Sequence, residues 1–209
     1  MATAERLFAE HGVAAVSSRQ ISEAAGQGNN AAVGYHFGTK TDLIRAIVRR
    51  HDEVIEHARR GLVERIDEDG GDSGDGGGNG LRAWVECLVL PLTGHLAAVG
   101  RTSWYARFSL QVSTDPVLRE IITDDVLGAP SLAQIVRGLL PRLSELPDAV
   151  REERLEMVRS LIMHACADRE RALAASGEPP KPAWSRTATL LVDAITGLLQ
   201  APVSTSAKS

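Results

Sequence analysis

The fold of this chain is decided by residues 17–42, which read SSRQISEAAGQGNNAAVGYHFGTKTD. Ser17 is predicted to be the N-cap of a helix over residues 18–25, because its hydroxyl can accept from the backbone amide three residues on. Gln20 stands where the reciprocal side chain of a capping box belongs. Gly26 can adopt the left-handed conformation that ends a helix. The first half of the stretch therefore predicts one short helix with both ends defined.

The second half of the stretch predicts another short helix, over residues 31–35. Asn29 and Asn30 are both candidates for its N-cap. Thr39 is predicted to cap the next, longer helix, with Asp42 at a position where the helix dipole favours an anion. Two short helices joined by a turn that contains glycine are typical of a helix-turn-helix, whose second helix fits a DNA major groove.

Three segments of the chain resemble the DNA-binding head of the TetR (tetracycline-repressor-like) transcriptional regulators. They read LFAEHG at residues 7–12, SRQI and AAG at residues 18–21 and 24–26, and YHFGTKTDL at residues 35–43. The resemblance implies an all-α fold with a three-helix helix-turn-helix DNA-binding domain at residues 1–48. It also implies a helical ligand-binding and dimerisation domain at residues 49–203, joined to the head by a long helix.

Direct readout of bases is predicted for residues near the starts of the two short helices. Arg19 can make a bidentate contact with guanine, and Asn29 or Asn30 can do so with adenine. Ala31 is short enough to let its helix approach a thymine methyl group. The other candidate DNA contacts are predicted to bind phosphates, which position the protein without reading the sequence: Ser17, Ser18, Tyr35, His36 and Lys40.

Three of these candidates have a structural alternative that the sequence leaves open. Ser17 can act only as a helix cap, His36 can pack beneath the turn, and Lys40 can be a solvated lysine. The turn before His36 is also one residue longer than the common form of the family, and Gly34 stands where an aromatic residue is common. A helical small-molecule-binding protein with weak or lost DNA binding is therefore kept as the alternative function.

The charge of the chain is unevenly distributed. Its formal net charge over 209 residues is −4, which by itself argues against a nucleic-acid partner. Within residues 17–50, however, five cations outnumber the two acids, Glu23 and Asp42. The cations are Arg19, Lys40, Arg45, Arg49 and Arg50. A basic head on an acidic body is typical of a DNA reader whose attraction is confined to one end.

Nothing in the sequence predicts export or membrane insertion. Cys87 and Cys166 lie in apolar helical stretches and not in a CxxC motif, which favours a reduced, cytoplasmic protein. No signal peptide is visible near Met1, and no apolar run approaches the roughly 20 residues that span a bilayer. The chain begins without the basic leader that many members of the family carry, which a start upstream of Met1 would explain.

A long helix is predicted from Lys40 to about Asp67, with apolar residues at helical spacing along its length. It would be about 40 Å long and would connect head and body. The segment DEDGGDSGDGGGNG at residues 67–80 is predicted to be a flexible linker. Its charged residues are all acidic, whereas a phosphate-cradling loop needs a lysine with serine or threonine. A calcium loop needs a closing glutamate, which the segment lacks.

Aromatic residues are concentrated in one part of the body. Of the three Trp, two Tyr and three Phe in the chain, four lie between residues 84 and 108. Helices are predicted there over residues 81–100, kinked at Pro91, and over residues 103–112. Such a cluster suits a small-molecule pocket between helices, although it also suits an ordinary core, and His95 alone is more typical of a core histidine. The candidate pocket residues are Trp84, Leu88, His95, Trp104, Tyr105, Phe108 and His164.

The remaining body helices are predicted over residues 116–127, 131–146 with an interruption near Pro141, 148–175 and 184–200. The last two carry apolar residues on more than one face, and a single chain can cover only one of them. Pairing these helices with their copies in a second subunit would form a four-helix bundle, as the resemblance also implies. A monomeric core is the alternative. Residues 204–209 are predicted to be a polar tail.

The predicted function is ligand-responsive, sequence-specific DNA binding by a homodimer. The mode of regulation expected for such a protein is repression, with a small molecule releasing the repressor from a palindromic operator. No cofactor and no metal site are predicted. An enzyme would need a nucleophile, a base and an orienting acid at a defined spacing, and the candidates His95, His164 and Cys166 do not provide one.

Overall fold

A computed structural model of the chain describes residues 1–26, 32–68, 79–120 and 129–204. These residues form α-helices and a short 3₁₀ turn, and they include no β-strand. The all-α fold predicted from the sequence is confirmed. Several predicted features lie outside the described residues, namely Asn29, Asn30 and Ala31, the larger part of the linker, and the tail beyond residue 204.

Three short helices form the amino-terminal part of the chain: α1 (Ala2–His11), α2 (Ser18–Ala24) and α3 (Ala32–Phe37). The Ser17 hydroxyl accepts from the Gln20 amide at 3.3 Å, and the Gln20 side chain accepts from the Ser17 amide at 2.8 Å. The predicted capping box is therefore confirmed. Gly26 follows α2 with a φ of 68°, the left-handed conformation expected of it.

Helix α3 extends further than the predicted residues 31–35. The Gly38 amide donates to the Gly34 carbonyl at 2.9 Å, and the helix continues two residues beyond the predicted end. Phe37 is therefore the last residue of the helix, and its side chain packs against the core. Gly38 then has a φ of 79°, a conformation that glycine adopts without a steric cost, and the helix ends there.

Helix α4 (Lys40–Glu68) connects the two parts of the molecule. Its 29 residues correspond to a length of about 44 Å. At its start the Asp42 carboxylate accepts from the Thr39 amide at 3.0 Å, and the Thr39 hydroxyl accepts from the Asp42 amide at 3.1 Å. Hydrogen bonds from the Thr39 hydroxyl and amide lower the pKa of Asp42, so this carboxylate is charged where the helix dipole favours an anion.

The second part of the molecule contains α5 (Asn79–Val99), a 3₁₀ turn (Gly100–Thr102), α6 (Tyr105–Thr114), α7 (116–120), α8 (Pro130–Arg142), α9 (Asp148–Ala175) and α10 (Pro180–Gln200). We call α1 to α3 the head and α5 to α10 the body. Helix α10 packs against α5 and α9, and α8 packs against α4 and α5. Helix α6 packs against α9 and also against α1, where Phe108 stacks on Phe8 with ring centroids 6.1 Å apart. Head and body therefore share one hydrophobic core.

Proline residues account for the main differences between predicted and observed body helices. Helix α10 begins at Pro180 rather than Trp184, because proline fits the first helical turn, where its missing amide has no partner to lose. Helix α8 ends at Arg142, directly after Pro141, instead of reaching residue 146. Helix α5, by contrast, continues through Pro91.

Helix α5 is the most apolar element of the body. Residues Gly80–Thr102 are long and apolar enough, by length and composition alone, to cross a membrane, with a mean hydropathy of 1.4 in a window that is 39% buried in the fold. The expectation that no run approaches this length was wrong. It considered uninterrupted apolar residues, whereas isolated polar residues such as Thr93 and His95 leave the mean hydropathy high. A helix packed against α4, α8 and α10 must be apolar on several faces.

Two body helices are capped by carboxylates from other helices. Glu170 of α9 accepts from the amides of Ala106 and Arg107 at 3.1 and 3.0 Å, at the start of α6. Glu56 of α4 accepts from the Ser131 amide at 3.1 Å, at the start of α8. Burial opposes the charge of Glu56, but the hydrogen bonds from Ser131 together with the charge and hydrogen bond of Arg59 outweigh it, and the pKa of Glu56 is lowered. Neither helix has a cap from its own N-cap side chain.

Candidate nucleic-acid interface

The start of α2 places three of the predicted DNA contacts at the head surface. Ser17 is exposed and serves as the helix cap, and Ser18 beside it is partly buried. The Arg19 side chain is 73% exposed, and its Nε donates to Glu23 at 2.8 Å, one turn further on. An exposed ion pair of this kind contributes little free energy. The Arg19 guanidinium is therefore able to exchange this partner for another.

The end of α3 presents an exposed aromatic surface. Tyr35 is 85% exposed, and its ring lies edge-on to that of His36 with centroids 5.2 Å apart. His36 is itself exposed, so the alternative in which it packs beneath the turn is wrong. The base contacts predicted for Asn29, Asn30 and Ala31 lie outside the described residues and stay predictions.

Lys40 has a role within the head that the sequence analysis missed. Its ammonium donates to the carbonyl oxygens of Val13 at 3.0 Å and Val16 at 3.3 Å. Both carbonyls belong to the connection between α1 and α2. The alternative in which Lys40 is a freely solvated lysine is therefore wrong, and its phosphate contact stays a prediction for the remaining N–H group.

Acidic neighbours reduce the positive charge that the sequence assigns to the head. The Arg50 guanidinium donates to Glu5 at 2.6 Å, and that of Arg45 lies 3.8 Å from Asp42. Since Arg19 is also paired, the positive potential of this surface is weaker than the number of cations predicts.

The residues predicted to line a ligand pocket are only partly brought together. His95, Tyr105 and Phe108 meet where the body contacts the head, with the Tyr105 ring centroid 6.1 Å from that of His95 and 6.3 Å from that of Phe108. Leu88 is partly buried and packs against the common core. These residues form packing contacts, and the Tyr105 and Phe108 side chains are buried.

The other three predicted pocket residues have separate surroundings. Trp84 packs closely against α8 at Gly138. The Arg107 guanidinium lies over the Trp104 ring, with its central carbon 4.1 Å from the ring centroid. His164 is exposed on α9, with Nδ1 2.9 Å from the Ser160 carbonyl of its own helix. The prediction of one pocket lined by all seven residues is therefore wrong, because they lie on helix faces that point to different neighbours.

Two clefts between body helices have volumes suited to small molecules. One lies between α5 and α10, has a volume of about 530 Å³, and includes Leu90, Gly94 and Ala188 among its walls. The other lies between α9 and α10 and has a volume of about 460 Å³. Neither cleft includes any of the seven predicted pocket residues. The one aromatic residue in their walls is Trp184, in the cleft between α5 and α10.

The sequence analysis also missed His51 and Glu5, which are both 5% exposed. His51 Nδ1 lies 2.7 Å from His95 Nε2, and its Nε2 lies 3.1 Å from the Glu5 carboxylate. A signal for His51 was present, because it stands four residues from both Ile47 and Ile55 on the apolar stripe of α4. A histidine at that spacing is predicted to be buried.

The three residues considered for catalysis have different neighbours. Burial raises the pKa of the Cys166 thiol to about 12, so the thiolate needed for nucleophilic attack is disfavoured. His164 contacts a backbone carbonyl and His95 contacts His51. Within the described part of the chain, no group of three or more His, Cys, Asp or Glu residues could hold a metal ion.

Comparison with known proteins agrees with the resemblance noted for the head of the chain. Residues 1–47 match the family described as bacterial regulatory proteins, tetR family. The chain is 32% identical over 119 residues to the HTH-type transcriptional repressor AcnR of Corynebacterium glutamicum, which covers 56% of this chain and 50% of that protein. AcnR of Corynebacterium efficiens is similarly 32% identical over 124 residues, or 58% of this chain and 53% of that protein.

The matches have different extents along the chain. The chain spans about half the length of the curated relatives it matches. The family match at residues 1–47 covers α1 to α3 and the first turns of α4. The structure also resembles the TetR family transcriptional regulator PfmR of Thermus thermophilus, with 16% identity, a TM-score of 0.49 and coverage of 97% of this chain and 95% of that one.

Proposed function

We propose that this chain is a cytoplasmic, sequence-specific DNA-binding regulator of the tetR family that reads DNA with α2 and α3. The observation that carries the proposal is the head itself, in which two short helices pack together and leave Arg19 and Tyr35 exposed. A helix fits the major groove, where an exposed arginine can donate two hydrogen bonds to guanine. In this proposal residues 1–48 form the DNA-binding domain and residues 49–203 form the ligand-binding and dimerisation domain.

The regulator acts as a homodimer through α9 and α10. The outer faces of these helices leave apolar side chains uncovered, including Met157 at 52% and Leu190 at 59% exposure. Between them lies the cleft of about 460 Å³, with Leu161 and Ala165 in its walls. A four-helix bundle with the same helices of a second copy would cover these surfaces. Two heads related by a two-fold axis would then read a palindrome in successive major grooves, about 34–36 Å apart.

The regulator represses transcription and leaves its operator when a small molecule binds the body. Two similar proteins are described as transcriptional repressors, which supports this sign of regulation. The cleft of about 530 Å³ between α5 and α10 offers space for a ligand. Helix α4 joins body and head, so a ligand that prefers a body conformation with the heads apart lowers operator affinity. A hundredfold loss requires about 2.7 kcal/mol of coupling.

A shift assay tests DNA binding. The purified chain is titrated into the duplex that lies upstream of its own gene and into a random duplex of equal length, at rising salt. A sequence-specific regulator keeps its preference for the first duplex, because salt mainly weakens the contribution from released counterions. Equal affinity for the two duplexes at every salt concentration would reject the proposal.

Light scattering after gel filtration tests the dimer. The unmodified chain is expected to have the mass of two copies, and Leu190→Arg is expected to have the mass of one. Val54→Arg is the matched control, since Val54 is 53% exposed on α4.

Mass spectrometry of the purified protein under native conditions tests for a retained small molecule. Adding that molecule to the protein–operator complex without a change in affinity would remove ligand release from the proposal.

A further inference from the structure

A chain of polar contacts crosses the boundary between head and body. Glu5 of α1 accepts from Arg50 of α4 at 2.6 Å, and its carboxylate lies 3.1 Å from Nε2 of His51. His51 Nδ1 lies 2.7 Å from Nε2 of His95 on α5. The Tyr105 ring of α6 stacks on the His51 ring, with centroids 3.9 Å apart and planes 14° apart. One buried imidazole of α4 therefore touches both the head and the body.

The facing nitrogens of His51 and His95 form a hydrogen bond only when one of them carries a proton and the other does not. In one neutral arrangement His51 donates to Glu5 from Nε2 and accepts from His95 at Nδ1. In the other, His51 Nε2 accepts from Arg50, which lies 2.9 Å away, and Nδ1 donates to His95. An added proton goes to His95 Nδ1 in the first arrangement and to His51 Nε2 in the second, and in both cases a single proton remains between the facing nitrogens.

A second added proton has no place in this geometry. It would put a hydrogen on every ring nitrogen of the pair, and two N–H groups would face each other across 2.7 Å. Two positive imidazoles would also lie beside the positive Arg50. The Glu5 carboxylate already accepts a hydrogen bond from that guanidinium, so it balances only part of the added charge. Asp52 of α4 acts on Tyr105 of α6, whose ring stacks on His51, and the charges that act on His95 are those of His51, Glu5 and Arg50.

We propose that the His51–His95 pair is a pH-sensitive contact that holds α1 of the head against the body, and that it opens when both imidazoles are protonated. The contact is regulatory rather than part of the DNA surface, because none of its members is among the predicted DNA contacts. It lies within a single chain and is independent of whether the protein binds DNA.

The direction of the pH effect follows from His95. Burial lowers the pKa of His95, and the charges of His51 and Arg50 act in the same direction, while Glu5 opposes them. The unfolded or opened chain therefore binds this proton more readily than the closed one. The contact contributes its full stability above the ordinary histidine pKa of about 6.5 and loses it as the pH falls below that value. Each unit of pKa difference changes the opening equilibrium about tenfold.

Hydrogen exchange of the α1 amides tests the proposal in the full chain. Protection factors are measured between about pH 5 and pH 8 for the unmodified chain, His95→Gln and His57→Gln. The unmodified chain is expected to lose protection in α1 as the pH falls, about tenfold for each unit of pKa difference. His95→Gln keeps a hydrogen-bonding group without a titratable one and is expected to show little pH dependence. His57 is exposed on α4, so its variant is expected to follow the unmodified chain.

Equal pH dependence in the unmodified chain and in His95→Gln would overturn the proposal. An imidazole NMR titration of the unmodified chain decides the matter even if the variant does not fold. His95 is expected to titrate below the ordinary histidine range, together with the amide signals of α1. An ordinary titration of His95, or α1 signals that do not follow it, would equally overturn the proposal.

Discussion

The Lys40 ammonium donates to the Val13 carbonyl oxygen at 3.0 Å, so the first residue of α4 is fixed to the connection between α1 and α2. A second hydrogen bond, to Val16, adjoins the cap of α2. The orientation of α2, and with it the position of Arg19, therefore depends on a lysine that is outside the helix-turn-helix itself.

Replacing Lys40 by Met is expected to lower the free energy of unfolding by about 1–3 kcal/mol, because charged hydrogen bonds to two carbonyls are lost. Urea denaturation measures this change. Lys181→Met, at an exposed position of α10, is the control and is expected to change stability by less than about 0.5 kcal/mol. If Lys40→Met instead leaves stability intact and only reduces the salt dependence of DNA binding, Lys40 is a phosphate contact and the structural role is wrong.

Ser17→Ala is expected to destabilise the protein by about 0.5–2 kcal/mol through loss of the capping box. Ser17→Asp separates the two roles of this residue. Aspartate is also a good N-cap and its charge suits the helix dipole, so stability is expected to be kept. Its charge repels a phosphate, so DNA affinity is expected to fall if Ser17 contacts the backbone. Unchanged DNA affinity in Ser17→Asp would show that the residue only caps the helix.

Arg19→Ala is expected to weaken binding to the operator by about 1–3 kcal/mol and binding to random DNA much less, because a bidentate base contact is lost. Parallel shift assays on both duplexes measure the difference. Arg6→Ala is a matched control, since Arg6 forms the same kind of pair with Glu10 at 2.8 Å on α1. Equal losses on both duplexes would mean that Arg19 binds phosphate.

Gly138→Ala is expected to destabilise the body by about 1–3 kcal/mol through overpacking. A Cβ atom at this position would lie 2.3 Å from Cε2 of the Trp84 ring, which is 6% exposed and has little room to move. Gly61→Ala in α4 is the control, because nothing lies within 4 Å of the added atom. That variant is expected to be more stable by about 0.5–1 kcal/mol. Thermal unfolding measures the melting temperature of each variant. Shifts of opposite sign relative to the unmodified chain would confirm the close approach of α5 and α8, and equal shifts would contradict it.

Features that depend on neighbouring residues were predictable from the sequence. The capping box of Ser17, the left-handed Gly26 and the Thr39 cap each involve residues no more than three positions apart. The range 148–175 predicted for a body helix is also the observed range of α9, since it begins after Pro147 and its apolar spacing persists to the end.

Features that depend on contacts between distant helices were not predictable in this way. The spacing of Trp84, Trp104 and His164 gives no indication that they face α8, Arg107 and solvent respectively. The Lys40 contacts and the His51–His95 pair join residues on different helices, and the choice of partner is made by packing. Burial of His51 was predictable from its spacing, but its partner was not.

The carboxylates of Glu170 and Glu56 have a consequence for the order of folding. A helix leaves four backbone amides unpaired at its start; Glu170 of α9 provides a partner for two of those of α6, and Glu56 of α4 for one of those of α8. An isolated peptide of residues 104–114 lacks that partner and is too short to be helical by itself in water. Helices α6 and α8 are therefore expected to form late, after the longer helices have docked. A substitution of Glu170 would first remove the hydrogen-bond partner of the Ala106 amide, 64 positions earlier in the chain.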